Sequence, residues 1–153
     1  MLNATWFGVS KRDHRAVDLY RRHYSSKKNG KSRSDWLRYG ITTPSKSITL
    51  LTSDGLALFV WIKQQYVDSG EIGVNCAVFR NEGPRRASDL ILEAEALAWD
   101  RWPAERLYTY VDPRAINIIK VHGKPVPGFC FIKAGWRECG ETARGLIVLE
   151  KLP

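Results

Sequence analysis

The spacing of apolar and polar positions changes period several times along the chain, and each change marks a predicted element. Thr5–Trp6–Phe7–Gly8–Val9 reads as a first strand. Asp13 then stands as an N-cap before a helix from Arg15 to Tyr24. Its positions Ala16, Val17, Leu19, Tyr20 and Tyr24 form one broad apolar face, leaving Arg15, Asp18, Arg21 and Arg22 for water or phosphate. From Ser25 to Ser45 the chain is rich in Ser, Lys and Gly, which predicts a mobile loop with an anchored piece around Trp36, Leu37 and Tyr39. A large ring such as Trp36 in so polar a stretch calls for either a core pocket or a ligand face.

Ser47–Thr52 and Leu56–Trp61 read as strands of an antiparallel hairpin, because Ser53–Asp54–Gly55 supplies the residues that a tight turn demands. Ile72–Arg80 is apolar nearly throughout, as a central strand buried on both faces would be. Asn81–Glu82–Gly83–Pro84 breaks it, and Ala87, Leu90, Ile91, Ala94, Leu97 and Ala98 then recur at helical steps. A short strand over Arg106–Val111 ends at Asp112–Pro113, where proline stops the ladder. Phe129 to Ala134 predicts a short helix ending at Gly135, followed by a final hairpin whose last strand is Gly145–Glu150. Strands dominate the first half and alternate with helices in the second. The expected fold class is therefore α/β, one domain over 1–153 with a mixed central sheet flanked by helices, and a basic helix and loop at 12–46.

Composition sharpens this picture in two places. With 153 residues, 44% of them hydrophobic, the chain can bury a core without disulfide or metal staples. Its longest apolar run, Leu56–Ile62, is far too short to cross a bilayer, and no signal pattern opens the sequence, so a cytoplasmic protein away from membranes is expected. Cys76, Cys130 and Cys139 lie far from His14, His23 and His122 without short ligand spacings, which predicts free thiols and no metal. Charge is the second feature: residues 1–46 carry eleven Lys/Arg against three acids, and the remainder is balanced. Lys11–Arg12, Arg15, Arg21–Arg22, Lys27–Lys28, Lys31, Arg33 and Arg38 form a basic third suited to nucleic acid or another polyanion. A solubilising surface with no partner is the plainer reading of the same residues.

Two places carry candidate chemistry. Arg80 to Ser88 leads from a strand through a break into a helix, whose free first-turn N–H groups make an anion site. Arg85 and Arg86 oppose the helix dipole there unless an anion lies between them, or unless Glu82 and Asp89 compensate them. Asp112 ends its strand where a carboxylate can orient an acceptor amine or take its proton, or where it can cap a turn of helix at Arg114–Ala115–Ile116. Tyr108 and Tyr110 share one face of that strand, as core or as site wall.

The run Phe131-x-x-x-Gly135–Trp136, preceded by Pro127–Gly128, resembles the Tyr-x-x-x-Gly-Phe signature of the GNAT acyltransferase superfamily. The strand, loop and helix over Val74–Ala98 resemble that superfamily's coenzyme-binding core. The strand end at Tyr110–Asp112, the run Gly128–Trp136 and the early His23–Tyr24 are most similar to phage Mom-like DNA-modification proteins. The likeness is good over residues 72–150 and loose over 1–71.

That resemblance implies a GNAT-like fold and an acetyl- or other acyl-coenzyme A donor. Its pantetheine would run along Cys76 to Phe79 and its diphosphate on the turn from Arg80 to Ser88, engaging Val78, Phe79, Arg80, Gly83, Arg85, Arg86, Ala87 and Ser88 with Cys130 as a wall. Two departures matter. Arg85 replaces a small residue of the superfamily's phosphate pattern, and Phe131 falls where a frequent Tyr protonates the departing thiolate. The proton then has to come from Cys130, Ser88 or Tyr108, or from no side chain at all. A backbone N–H near Phe79 or Arg80 is expected to polarise the thioester carbonyl. On the acceptor side His23, whose ordinary pKa is near neutrality, is the expected base, and Tyr24 can stack on a nucleotide base. The expected function is acyl transfer to an amine, on a DNA base held by the basic third. Noncatalytic nucleic-acid binding on the same fold and acylation of a small-molecule amine are the alternatives.

Overall fold

In the computed structural model, residues 5–23, 26, 30–42, 46–64, 67, 69–115 and 119–153 are described. The order of elements is β1 (Trp6–Val9), α1 (His14–Arg22), α2 (Arg33–Tyr39), β2 (Lys46–Thr52), β3 (Ala57–Lys63), β4 (Val74–Asn81), α3 (Ala87–Arg101), β5 (Leu107–Val111), β6 (Ile119–Val121), β7 (Lys124–Val126), α4 (Phe129–Lys133), β8 (Arg137–Glu141) and β9 (Ile147–Lys151). Seven strands form one mixed sheet in the order β1, β2, β3, β4, β5, β9, β8, and β6 pairs with β7 apart from it.

Period-two alternation sorts the strand residues onto two faces, each with its own helices. Leu50, Phe59, Trp61, Val74, Cys76 and Leu107 bury one face against Leu90, Ile91, Ala94 and Ala98 of α3 and Phe131 of α4. Leu51, Leu58, Val60, Ile62 and Val78 bury the other against Ala16, Val17, Leu19 and Tyr20 of α1 and Trp36 of α2. Indole N–H groups fix α3 on its face, Trp6 donating to Leu90 O at 3.0 Å and Trp61 to Ala94 O at 2.9 Å. Trp136 donates to the buried carboxylate of Glu95 at 2.8 Å, which also holds Lys151 at 2.6 Å.

Several expectations change. The stretch read as loop contains α2, started by a Ser32–Asp35 capping box and stopped at Gly40 with φ +90°. Trp36 is core, edge-on to Tyr20 at 5.0 Å. β4 contributes buried residues to both faces, Val74 and Cys76 to one and Val78 to the other, as expected of a central strand, while Asn75, Ala77 and Phe79 are partly open. No helix follows Asp112 over the described residues; its side chain and carbonyl close a turn onto Arg114 N and Ala115 N. The β6–β7 hairpin, turning at His122 (φ +51°) and Gly123 (φ +79°), was hidden by its brevity and by Pro125.

The decisive feature lies at the sheet's centre. β4 and β5 run parallel, joined through α3, and pair only at Val74–Leu107, Asn75–Tyr108 and Cys76–Thr109. Gly73 (φ +127°) lets them meet at this end, since a Cβ there would lie 2.1 Å from Arg106 O. Past Cys76, where Thr109 Oγ1 donates to Cys76 O at 2.9 Å, the strands part. At that point two residue steps of β4, Cys76 to Val78, span one step of β3, Trp61 to Val60, so Ala77 is the extra residue of a β-bulge.

Candidate active site

A cavity of about 630 Å³ fills the gap between the parted strands. Ala77 and Phe79 of β4 form one side, and Thr109, Tyr110 and Val111 of β5 the other. The first turn of α3 closes one end with Arg86, Ala87 and Ser88, and α4 supplies Phe129, Cys130, Phe131 and Lys133. His23, directly after α1, reaches the cavity from the opposite face of the sheet. Backbone groups that would have continued the β4–β5 ladder face this gap, as obligatory donors and acceptors.

The α3 end presents groups suited to an anion. Arg86 is the N-cap, extended at φ −64° and ψ 129°, and gives no side-chain hydrogen bond to the first turn. Its guanidinium forms no ion pair among the described residues. Uncapped first-turn N–H groups, the dipole of a fifteen-residue helix, the Ser88 hydroxyl and the Arg86 cation thus converge on one end of the cavity.

Electrostatics assign states to the groups within reach. Burial, helped by the nearby Arg80 charge, pushes His23 down to about 4, so it is neutral at pH 7. Burial raises the Cys130 thiol, which stays protonated and serves as wall. Burial also raises the Tyr110 phenol, whose hydroxyl shares a short hydrogen bond with Ser69. Phe131 is buried edge-on to Trp136 at 4.9 Å and to Phe79 at 6.0 Å, and offers no proton.

Of the expected site residues, His23, Phe79, Arg86, Ala87, Ser88 and Cys130 are brought together around the cavity. The others lie elsewhere for identifiable reasons. Val78 turns into the core against α1. Arg80 is held by Glu82 at 2.9 Å, and the same carboxylate grips Arg22 at 2.7 Å. Gly83 N donates to Asn81 Oδ1 at 3.0 Å and Glu82 N to Leu56 O at 2.8 Å, so this part of the turn is satisfied internally. Arg85 points away to Glu93 at 2.9 Å and to Thr5 at 2.6 Å. Its compensating acid is Glu93 rather than Glu82 or Asp89.

Tyr108 is fully buried, its hydroxyl has no hydrogen-bond partner among the described residues, and burial pushes its pKa up to about 12. Asp112 is buried and spends a carboxylate oxygen on Arg114 N and Nε, both at 3.0 Å. Tyr24, Lys27 and Lys28 lie outside the described residues. Tyr110 is the residue the sequence reading left undecided. No sequence signal separated the two: Tyr108 pairs within the short β4–β5 ladder, whereas Tyr110 falls one residue past its last pair, where the gap opens.

Basic residues of the first third are also partly consumed. Arg15 pairs with Asp13 at 3.2 Å, Arg33 with Asp18 at 2.7 Å and Arg22 with Glu82. Arg12, Lys31 and Arg38 form no ion pair among the described residues, although Lys31 lies over Trp36 and Arg38 over Tyr39. Among those residues, too, no three His, Cys, Asp or Glu gather as a metal site, and no helix is long and apolar enough to cross a membrane. The three cysteines are free.

A sheet parted between parallel central strands, with a helix N-terminus at the opening, defines the GNAT N-acetyltransferase fold, and comparison with solved structures finds it. The GNAT domain of S. lividans PAT is similar with a TM-score of 0.62 at 17% identity, over 97% of this chain and 89% of that one. Aminoglycoside N-acetyltransferase AAC(6')-Ib11 is similar with a TM-score of 0.63 at 16% identity, over 95% and 94%. No family model and no curated protein matches the sequence.

Proposed function

We propose that this chain moves an acyl group from acyl-coenzyme A to an amine, and that the amine belongs to a nucleic-acid base. The observation that carries the donor half is the cavity between β4 and β5 meeting the uncapped start of α3. Its residues fit the donor in kind and order. Unpaired strand edges suit the pantetheine amides, Phe79, Phe129 and Phe131 suit its apolar arm, and Arg86, Ser88 and the α3 amides suit the diphosphate.

The donor supplies a thioester carbonyl carbon to which the amine nitrogen bonds as the carbon–sulfur bond breaks. The bulge at Ala77 lies beside the gap, and a backbone N–H there is the proposed donor that polarises that carbonyl, a position two residues earlier than the sequence suggested. Tyr110, neutral at pH 7, is placed to give the leaving sulfur a proton, replacing Tyr108 in that role. His23 is too weak a base to strip an alkylammonium, whose pKa is near about 10. A base's exocyclic amino group is already neutral, so His23 need only accept its hydrogen bond before attack; the proton that the nitrogen sheds as the amide forms passes through His23 and solvent and restores the Tyr110 phenol.

The nucleic-acid half is supported by placement. α1 ends at His23 on the cavity, so its basic surface leads to the site, with Arg12, Lys31 and Arg38 as the cations left for phosphates. The likeness of Tyr110–Asp112, Gly128–Trp136 and His23 to phage Mom-like proteins points the same way. Reaching an amino group on a paired base requires flipping the nucleotide. Free thiols suit a reducing cytoplasm for this reaction.

The test is mass spectrometry of nucleosides from cells expressing the chain or its Arg86→Glu variant. A new acylated nucleoside that disappears with the variant is expected. Unmodified DNA, together with intact duplex binding, favours the noncatalytic reading that Phe131 supports.

A further inference from the structure

Among the described residues, α1 and α2 do not cover their face of the sheet to its end. Beyond β4 it is left to β5, β9 and β8, and a second cavity of about 850 Å³ lies there. Ser69 and Glu71 line one side, and Gly140, Glu141 and Arg144 of the β8–β9 hairpin line the other. Tyr110 lines both cavities. A molecule in the second space and a thioester in the first would therefore lie against the same tyrosine, whose hydroxyl bonds Ser69 of the second cavity. We infer that this second cavity is the acceptor pocket and that it takes an amine carried on a phosphate-bearing molecule of nucleotide size. This rests on the donor reading above.

The charges of the lining select that class. Glu71 is neutralised by Arg106, which binds it at 2.8 Å and also binds Glu150 at 2.6 Å. Glu141 and Arg144 form no ion pair among the described residues. One carboxylate for an N–H or O–H donor and one guanidinium for a phosphate suit a nucleotide whose reacting amino group extends past Tyr110 toward His23 in the first cavity. A polyamine or a lysine side chain would leave Arg144 opposed. Polar groups beneath this face are also incompletely used: Tyr108 Oη and Asn75 Oδ1, neighbours in register, are buried without partners. The pocket lies on the same face as α1 and α2, so a strand bound along them is carried toward it.

Gly140 offers a clean test, because a Cβ built there meets nothing within 4 Å and the residue has an ordinary φ. Wild type, Gly140→Trp and Arg144→Glu are compared for binding and for acetyl transfer, with deoxynucleosides, deoxynucleoside monophosphates and a single-stranded oligodeoxynucleotide as probes. Acetyl-coenzyme A affinity is measured on the same samples. Gly140→Trp is expected to weaken every acceptor by at least about tenfold while leaving acetyl-coenzyme A affinity within about twofold. Arg144→Glu is expected to weaken monophosphates and the oligonucleotide but not nucleosides. Preference between those two probes separates free nucleotide from strand as the source of the phosphate. Wild-type acceptor affinity in Gly140→Trp overturns the inference, and so does failure of every probe to bind wild type at about 10 mM. Retained acetyl-coenzyme A binding in either case leaves the donor reading standing.

Discussion

His23 shows how burial reverses an expectation drawn from a residue's ordinary chemistry. Its folded pKa is lowered to about 4 from 6.5, so the unfolded chain binds the proton first. The contribution to stability is fully present above about pH 6.5 and is lost as pH falls toward about 4, by roughly 3 kcal/mol if the shift is realised in full. Urea unfolding of wild type and His23→Gln at pH 7 and pH 4.5 is expected to show the larger acid loss in wild type, and equal losses would refute the assignment. Glu95 is the opposite case, a buried carboxylate raised by desolvation and held by Lys151 and Trp136. Glu95→Ala takes the carboxylate from the part-buried Lys151 ammonium, which keeps only Ala134 O among the described residues, and from the buried Trp136 N–H, and is expected to destabilise by about 3 kcal/mol in urea titration. Neither state was legible in the sequence, because both depend on what other segments bring within reach. Phe131 was legible, since a residue's lack of a dissociable proton needs no coordinates.

Elements were read well where one period ran long, and poorly where function bends them. α1, α3, α4 and the β2–β3 hairpin follow from spacing and turn residues, with ends moved by a residue or two. The turn from Asn81 to Arg86 was read correctly as a break before a helix, but its anion site is narrower than the sequence suggested. Asn81 closes the turn on itself by accepting from Gly83 N and donating to Arg85 O, which leaves Arg86 to Ser88 to meet a ligand. Nothing in local spacing reveals that two strands pair for three residues and then part. Gly73 is the residue that permits the close end of that wedge. Gly73→Ala is expected to cost at least about 1–3 kcal/mol and to lower acetyl-coenzyme A affinity by opening the base of the gap. Thermal unfolding together with the binding constant checks it, and a variant with wild-type values in both would remove Gly73 from the account.

At the scale of the whole molecule, the eleven Lys/Arg of residues 1–46 overstate the cation that this third offers a partner. Intramolecular pairs occupy Arg15, Arg22 and Arg33, so among the described residues duplex affinity should depend mainly on cations outside such pairs, Arg12, Lys31 and Arg38 among them. Reversing these three is expected to flatten the salt dependence of DNA binding by about three phosphate contacts, whereas an unchanged slope in fluorescence anisotropy would place the nucleic acid on another surface. On the proposed reading, the first cavity takes the donor, the second takes the acceptor, and Tyr110 lines both. Calorimetric titration of acetyl-coenzyme A into wild type and Arg86→Glu tests this arrangement most directly. Saturable one-to-one binding by wild type, weakened at least about tenfold in the variant, is the predicted result. Equal affinity in both proteins, or no heat with wild type up to about 1 mM, would contradict it.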